Sequence, residues 1–211
     1  MTIPAIRLHR MALSGHSHRV ELLLSLLGLP FTRVDVDLRS GEHKAPGFLA
    51  MNAFGQVPVL EDGDLILADS NAILVYLATR YDAERRWLPG DPVIASSVQR
   101  WLSVAAGQLA FGPAAARLVR LFGAGYDHAR CAAIAAQLFS VVEAHLATRR
   151  FIAAEWPTIA DLALYTYTAH APEGDISLQP YPHIRAWIAR VEALPGFVPM
   201  QRSPRAAEGA T

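Results

Sequence analysis

Segments with the alternating apolar pattern of β-strands occur only in the part of this 211-residue chain that precedes Asp82. Such alternation places every second side chain on one face, as a half-buried strand requires. Helical periodicity, with apolar residues three or four positions apart, separates these segments and is the only pattern after Pro92. This distribution predicts an α/β region followed by an all-helical region. The predicted strands are Ala5–His9, Phe31–Val36, Gln56–Leu60 and Leu65–Leu67.

The first region has the predicted order β-α-β-α-β-β-α. Its first helix, Ser17–Leu27, ends at a Gly-Leu-Pro turn, because glycine and proline interrupt helices. A polar loop, Gly41–Asn52, contains a short helical piece, and an Asp/Gly-rich turn joins the last two strands as a hairpin. Asp69 or Ser70 is expected to cap a helix that runs to about Tyr81.

The segment Asp82–Pro92 is charged and rich in turn residues, which suits an interdomain linker. We therefore expect a first domain at residues 1–82, a linker at 83–91 and an all-helical domain at 92–201. Residues 202–211 have little to bury, and we expect a frayed tail there. The helices predicted in the second domain are Val93–Phe111, Tyr126–Arg149, Thr158–His170 and Pro182–Leu194.

The composition argues against several classes of protein. Hydrophobic residues make up 52% of the chain and charged residues 18%, which favours a globular fold over disorder. The formal net charge is zero and the pI is about 7.1, so we expect neither a nucleic acid nor an anionic membrane surface as a partner. The longest apolar stretch, Leu22–Phe31, is shorter than the roughly 20 residues of a membrane-spanning helix. The N-terminus lacks the pattern of a secretory signal and Cys131 is the single cysteine, so we expect a cytoplasmic protein.

Ser14 lies between the first predicted strand and the first predicted helix. The N-terminus of a helix exposes unpaired N–H groups and a partial positive charge, so it stabilises an anion placed there. A thiol with a pKa of about 8.5 is mostly protonated at neutral pH, and a hydroxyl donor together with the helix end favours its thiolate. The alternative interpretation is that Ser14 or Ser17 only caps the helix.

Three further motifs have both a binding and a purely structural interpretation. Val57-Pro58 enters a strand, where a cis bond would leave the Val57 main chain free to pair with an extended peptide, although an ordinary edge proline fits equally. Asp69-Ser70 suits the ammonium and carboxylate of an amino acid, or simply caps a helix. His43-Lys44 offers a cation for a second carboxylate, or a solvated lysine.

Taken together, these motifs resemble the cytosolic glutathione transferases, most closely the serine-type, phi-like bacterial branch. The resemblance covers nearly the whole chain and rests on the order and spacing of Ser14 and three later segments. In the second domain, Pro157–Asp161 resembles the family's buried capping box, which concerns folding and not catalysis. The three segments are Gly41–Leu49, Asn52–Asp64 and Leu67–Leu77.

The resemblance implies a thioredoxin-like first domain that binds glutathione as a co-substrate. Ser14 would then donate to the glutathione sulfur. Ser17 is the alternative, but the spacing between the serine and Arg19 favours Ser14 for this role. Val57, before a cis Pro58, would pair with the cysteinyl main chain. Asp69 and Ser70 would hold the γ-glutamyl end with Gln56 nearby, and His43 and Lys44 would face the glycine carboxylate.

The resemblance also implies an acceptor pocket and a homodimer. Phe54 matches an aromatic key that several transferase classes insert into the partner subunit. No metal is expected, because the pair His16 and His18 lacks a third ligand. The residues predicted around the acceptor pocket are Leu13, Trp101, Gln108, Phe111 and Tyr165.

The leading functional hypothesis is a detoxifying transferase that directs the glutathione thiolate at a hydrophobic electrophile. A second hypothesis is the glutathione-dependent reduction of peroxides or disulfides. A third is a non-catalytic protein that binds glutathione or another ligand, since a fold does not determine a function. Ser14, together with Asp69 and Ser70 as groups that would bind an amino-acid end, favours an enzyme over a non-catalytic protein.

Overall fold

A computed structural model describes residues 5–203 of the chain, and these residues contain one four-stranded sheet with the strand order β2-β1-β3-β4. β1 and β2 are parallel, with Ile6 opposite Phe31. β1 pairs with β3, and β3 with β4, in antiparallel fashion, so that Leu8 lies opposite Leu60. The strands are β1 (Ile6–Arg10), β2 (Phe31–Asp35), β3 (Val59–Asp62) and β4 (Leu65–Ala68).

Three helices accompany the sheet and give the predicted order β-α-β-α-β-β-α. They are α1 (Gly15–Leu26), α2 (Pro46–Met51) and α3 (Ser70–Tyr81), and a 3₁₀ turn at Glu42–Lys44 precedes α2. α1 is the crossover that a parallel strand pair needs. Its leucines at 22, 23 and 24 are fully buried with residues of β1 and β3. The helix therefore fixes the loop after β1 against the sheet.

The rest of the described chain is helical, as the sequence predicts. A single run, Pro92–Phe122, contains α4 and α5 joined by a π-helical stretch at Ala105–Ala114. α5 was not expected, because Gly112-Pro113 suggested the end of a helix. The π-helical stretch contains this proline, and the absence of a side chain at Gly112 lets α6 approach closely. The helices are α4 (Pro92–Val104), α5 (Ala115–Phe122), α6 (His128–Leu146), α7 (Ile159–Ala169) and α8 (Pro182–Glu192).

The run Pro92–Phe122 is long and apolar enough to cross a membrane by length and composition alone. The sequence identified the shorter stretch Leu22–Phe31 instead, because polar residues such as Gln99 and Arg100 interrupt the apolar pattern of the longer run. Half of its most apolar window is buried inside the protein, as is usual for a core helix. The finding is therefore weak support for a membrane segment.

One continuous core joins the sheet, α1 and α3 to the later helices, and α7 lies at its centre. The Asp161 carboxylate accepts hydrogen bonds from the Thr158 and Ile152 N–H groups and from Trp187 Nε1, at 2.8–2.9 Å. Thr158 and Asp161 form the predicted capping box at the start of α7. The connection before α4 also packs on α7, because the Trp87 carbonyl accepts the Ile159 N–H at 2.9 Å.

The tail expected at 202–211 falls largely outside the described residues, which end at Ser203. Ser203 itself is buried, and its N–H donates to Glu173 at 3.0 Å.

Candidate active site

A cavity of about 900 Å³ lies between the sheet loops and the helical region. Its walls come from the loop after β1, the segment before β3, the end of β4, and the helices around the π-helical stretch. Most of the predicted site residues line this cavity. They are Leu13, Ser14, His43, Lys44, Phe54, Gln56, Val57, Pro58, Asp69, Ser70 and Phe111.

Ser14 is the N-cap residue of α1, and its hydroxyl faces the cavity. The Oγ accepts the Ser17 N–H at 3.2 Å, while the hydroxyl hydrogen has no acceptor within residues 5–203. Ser17 is only 1% exposed, and its Oγ accepts the Met11 N–H at 3.4 Å behind the loop. The geometry therefore places Ser14, and not Ser17, where a ligand can reach it. Capping and ligand contact are compatible, because capping uses the oxygen as an acceptor whereas a ligand would accept the hydroxyl hydrogen.

Asp69 holds the start of α3 in an uncommon backbone conformation. Its φ is 71°, in the left-handed region that few residues other than glycine adopt. The carboxylate accepts the N–H groups of Asn71 and Ala72, each at 2.9 Å. Such conformations occur preferentially at ligand sites. Asp69 and the buried Ser70 therefore combine a capping role with a position on the cavity wall.

Arg19 lies behind this wall and is fully buried. It donates to Asn71 Oδ1 at 2.9 Å and to Ser70 Oγ at 3.4 Å, but its Nε and Nη2 have no partner among the described residues. Burial lowers the pKa of Arg19 to about 10, so the guanidinium stays charged at neutral pH. It forms no ion pair with another described residue of 5–203. The guanidinium is therefore a buried positive charge that the Asp69 carboxylate offsets only in part, through space, and it favours anions nearby.

Sequence reasoning used Arg19 only for register, although a stronger signal was present. On a helix, position 19 shares a face with positions 22, 23 and 26, which are all leucine here. An arginine on such an apolar face indicates a buried charge with a specific role.

His16 and His18 do not form a pair. His16 lines the cavity, and its Nδ1 lies 3.3 Å from Ser70 Oγ. Burial, followed by the charge of Arg19, lowers the pKa of His16 to about 3, so its ring is neutral at physiological pH. His18 points into the core, where its ring nitrogens contact Thr166 and Val198. Within residues 5–203 no three His, Cys, Asp or Glu side chains are grouped as metal ligands.

Lys44 is held in place at the rim of the cavity. Its Nζ donates to the carbonyls of Phe54 and Gly55 at 3.1 and 3.2 Å. Gly55 has φ of 59°, and a Cβ on it would lie 2.7 Å from the His43 carbonyl oxygen and 2.7 Å from Lys44 Nζ, so this position favours glycine. The neighbouring His43 has a buried Nδ1 without a partner in residues 5–203. The rim therefore carries a fixed positive charge and not a freely solvated lysine.

The Val57-Pro58 peptide bond is cis, and both residues line the cavity. The N–H and C=O of Val57 form no hydrogen bond with any other described residue. Asn52 supports the preceding residue, because its Nδ2 donates to the Gln56 carbonyl at 2.8 Å. An extended main-chain segment thus faces the cavity with both polar groups available.

Three predicted acceptor residues do not line the cavity. Trp101 is 1% exposed and packs in the core against His145, with ring centroids 4.9 Å apart. Gln108 also lies outside the wall, because it belongs to the π-helical stretch, whose rotation per residue differs from that of an α-helix. The Tyr165 hydroxyl donates to Glu192 at 2.9 Å beside a second cavity of about 470 Å³.

Two residues that sequence reasoning missed complete the helical wall. Tyr167, on α7, lines the cavity in place of Tyr165. Arg117, on α5, is 1% exposed and donates to Glu173 Oε2 at 2.6 Å and to the Leu13 carbonyl at 2.8 Å. It thereby fixes the loop that carries Ser14.

The Arg117–Glu173 pair remains charged at neutral pH. Burial disfavours the Glu173 carboxylate, but hydrogen bonds from His170 and the Ser203 N–H, together with Arg117, lower its pKa to about 2. The Nη2 of Arg117 has no partner within the part of the chain that the structure describes.

Comparison with known proteins assigns a family to this arrangement. The family model described as the glutathione S-transferase N-terminal domain matches residues 5–79, and the C-terminal domain model matches residues 128–195. The chain is 36% identical over 204 residues to glutathione S-transferase 3 of Zea mays, covering 91% of both chains.

Solved structures agree with this assignment. A possible glutathione S-transferase from Rhodopseudomonas palustris has a TM-score of 0.85 and 36% identity, covering 94% of this chain and 91% of that one. A glutathione transferase homologue from Drosophila mojavensis with bound glutathione has a TM-score of 0.83 and 28% identity, covering 92% and 90%. The expected family and fold class are confirmed.

Proposed function

Because the chain belongs to the glutathione S-transferase family and is a glutathione transferase, we propose that Ser14 activates the glutathione thiol. One observation carries the proposal: Ser14 lines the cavity at the N-terminus of α1, and its hydroxyl hydrogen has no acceptor among residues 5–203. That hydrogen is available to a thiolate. Ser17, the alternative hydroxyl, is buried away from the cavity.

The charges around Ser14 support a thiolate. The N-terminus of α1 supplies a partial positive charge, and the buried Arg19 adds a full one behind the wall. We expect these groups to lower the thiol pKa from about 8.5 by roughly one to two units. Each unit corresponds to about 1.4 kcal/mol in favour of the anion.

The remaining groups match the polar ends of glutathione. The free Val57 main chain would pair with the cysteinyl residue as an added strand. Asp69 and Ser70 would hold the γ-glutamyl ammonium and carboxylate. Gln56 would lie close to these groups, while His43 and Lys44 would face the glycine carboxylate at the rim.

The thiolate would attack a hydrophobic electrophile held against Leu13 and Phe111, and detoxification is the corresponding physiological role. We assign glutathione binding to residues 1–82, a linker to 83–91 and the acceptor wall to the domain at 92–201. We further propose a cytoplasmic homodimer in which Phe54, 80% exposed here, inserts into the partner subunit.

The thiolate absorbance of bound glutathione, measured against pH, tests the role of Ser14. In Ser14→Ala the titration midpoint should rise by about one pH unit or more, because one donor to sulfur is lost. Ser17→Ala is the matched control, and its midpoint should stay at the wild-type value. An unchanged midpoint in Ser14→Ala would remove the proposed role.

Three substrates separate the possible reactions. A chloronitrobenzene reports transfer to carbon, an organic hydroperoxide reports peroxide reduction, and a model disulfide reports thiol exchange. We expect the first to react fastest. Glutathione binding without turnover of any of them would instead favour a carrier.

A further inference from the structure

The peptide group that leads into Ser14 is held at both ends. Its N–H, which belongs to Ser14, donates to the Met11 carbonyl at 2.9 Å. Its C=O, which belongs to Leu13, accepts from Arg117 Nη1 at 2.8 Å. Because a peptide group is planar, two such contacts fix its orientation. That orientation in turn sets the direction in which the Ser14 side chain leaves the main chain.

Arg117 is the strongest contact between this loop and the rest of the protein. The Leu13 N–H donates to the Met11 sulfur at 3.1 Å, and the Met11 N–H reaches Ser17 Oγ only at 3.4 Å. Sulfur is a weak acceptor, and a hydrogen bond of 3.4 Å is long. The Leu13 carbonyl has no second donor within residues 5–203. A guanidinium donor at 2.8 Å is charge-assisted and therefore stronger than these other contacts.

Glu173 holds Arg117 from the opposite side. Arg117 Nε donates to Glu173 Oε2 at 2.6 Å, and the two side chains are only 1% and 4% exposed. The other carboxylate oxygen of Glu173 accepts the Ser203 N–H at 3.0 Å. The absence of a side chain at Gly174 permits this approach, since a Cβ there would lie 2.7 Å from the Arg117 main-chain nitrogen. Arg117 therefore has little freedom to move.

Stability alone does not account for a buried ion pair at this place. Apolar residues of similar shape often serve as well or better, because burial removes both charges from water. The pair does provide orientation: the guanidinium is a planar fork, so an Nε held by Glu173 determines where Nη1 points. Arg120, one turn further along α5, pairs with Asp175 at 2.6 Å, but those side chains are 38% and 45% exposed.

We propose that Arg117, held by Glu173, is a positioning residue that keeps the Ser14 hydroxyl within reach of the glutathione sulfur. This inference rests on the proposed function, because Ser14 must itself act on the thiol. It adds that thiol activation does not belong to the thioredoxin-like domain alone and requires a side chain of the helical domain. Arg117 acts through the Leu13 peptide group and not through its charge, which Glu173 balances.

The double variant Arg117→Met/Glu173→Gln tests the proposal. It removes one charge of each sign, so no buried charge loses its partner, and glutamine still offers an oxygen to the Ser203 N–H. The thiolate midpoint of bound glutathione should rise by about half a pH unit or more, because a misplaced hydroxyl donates less well to sulfur. With a chloronitrobenzene, kcat should fall about tenfold. The KM for glutathione should stay within about twofold, because the groups proposed to bind its ends lie on other loops.

Arg120→Met/Asp175→Asn is the matched control. It also removes one charge of each sign from α5 and its neighbour, but at the protein surface. Its thiolate midpoint and its kcat should equal those of wild type. These results would separate the effect of the buried pair from a general effect of charge on this helix.

A double-mutant cycle with Ser14→Ala shows the route by which the pair acts. If Arg117 works through Ser14, removal of the Arg117–Glu173 pair should hardly move the thiolate midpoint once the hydroxyl is absent. A purely structural effect of the pair on the cavity would raise the midpoint by the same amount in both backgrounds. Equal rises would therefore contradict the proposal.

Arg117→Lys tests the same contact while the buried charges stay paired, so the result does not depend on how well the double variant folds. The single lysine nitrogen is attracted more strongly to the Glu173 carboxylate than to a carbonyl, and Leu13 loses its donor. The midpoint and kcat should change as in the double variant, with a denaturation midpoint near that of wild type.

The Ser14→Ala titration distinguishes failure of this inference from failure of the proposed function. If Ser14→Ala raises the midpoint but the double variant and Arg117→Lys leave it unchanged, Arg117 has no positioning role and the proposed function stands. If Ser14→Ala itself leaves the midpoint unchanged, the proposed function fails, and this inference fails with it.

Discussion

Mildly acidic solution should destabilise the protein through His18, whose ring is buried and neutral in the folded state. The ring is 4% exposed, and its Nε2 lies 2.8 Å from the Val198 carbonyl. A carbonyl only accepts, so Nε2 carries the hydrogen, and Nδ1 accepts from the Thr166 hydroxyl at 2.9 Å. A second proton on this ring has no favourable acceptor.

The size and sign of the effect follow from the pKa of His18. Burial is the main cause that lowers it from 6.5 to about 4. The hydrogen bond to the Val198 carbonyl and the charge of Glu21 oppose this shift, whereas the charges of His170 and Arg19 add to it. The unfolded chain therefore takes up the proton first. The stabilisation is fully present above pH 6.5 and is lost as the pH falls from 6.5 to about 4. Over the whole range it amounts to about 3 kcal/mol.

Denaturant unfolding of wild type and His18→Gln tests this reasoning. Glutamine keeps a neutral donor and acceptor but does not titrate. Between about pH 7.5 and about pH 5, the wild-type free energy of unfolding should fall by about 2 kcal/mol more than that of the variant. His16, whose pKa is lowered to about 3, causes the same loss of stability in acid in both proteins, so its contribution cancels in the comparison. The exposed His183→Gln should behave as wild type, and identical pH slopes in wild type and His18→Gln would refute the argument.

Two further substitutions test the core and the proposed dimer. Asp161→Asn should lower the free energy of unfolding by about 2–4 kcal/mol, because three donors lose a buried carboxylate; an unchanged denaturation midpoint would contradict this. Phe54→Ala should convert a dimer to a monomer in light scattering without changing the circular dichroism spectrum, whereas the control Val141→Ala, which also removes an exposed apolar side chain, should keep the dimer mass. A monomeric wild-type protein at micromolar concentration would exclude the dimer.

Local patterns in the sequence predicted most of the fold. The alternation in β2, the Asp69 cap of α3 and the Thr158–Asp161 box all concern neighbours in the chain, so composition and spacing suffice to find them. The strand order and the continuation of a helix through Pro113 depend on partners far away in sequence. A residue-by-residue pattern contains no direct information about such partners.

The same distinction explains why Tyr165 was predicted in the cavity and Tyr167 was not. Every residue of α7 from Ile159 to Thr168 is buried, so apolar periodicity cannot indicate which face meets the cavity. The two tyrosines lie two positions apart, on roughly opposite faces of the helix. What separates them is the surface opposite each one: a carboxylate for Tyr165, and the bare main chain of Gly15 for Tyr167. Gly15 is thus the partner of Tyr167 across 152 residues of sequence, and a side chain there would displace the tyrosine ring from its place on the cavity wall.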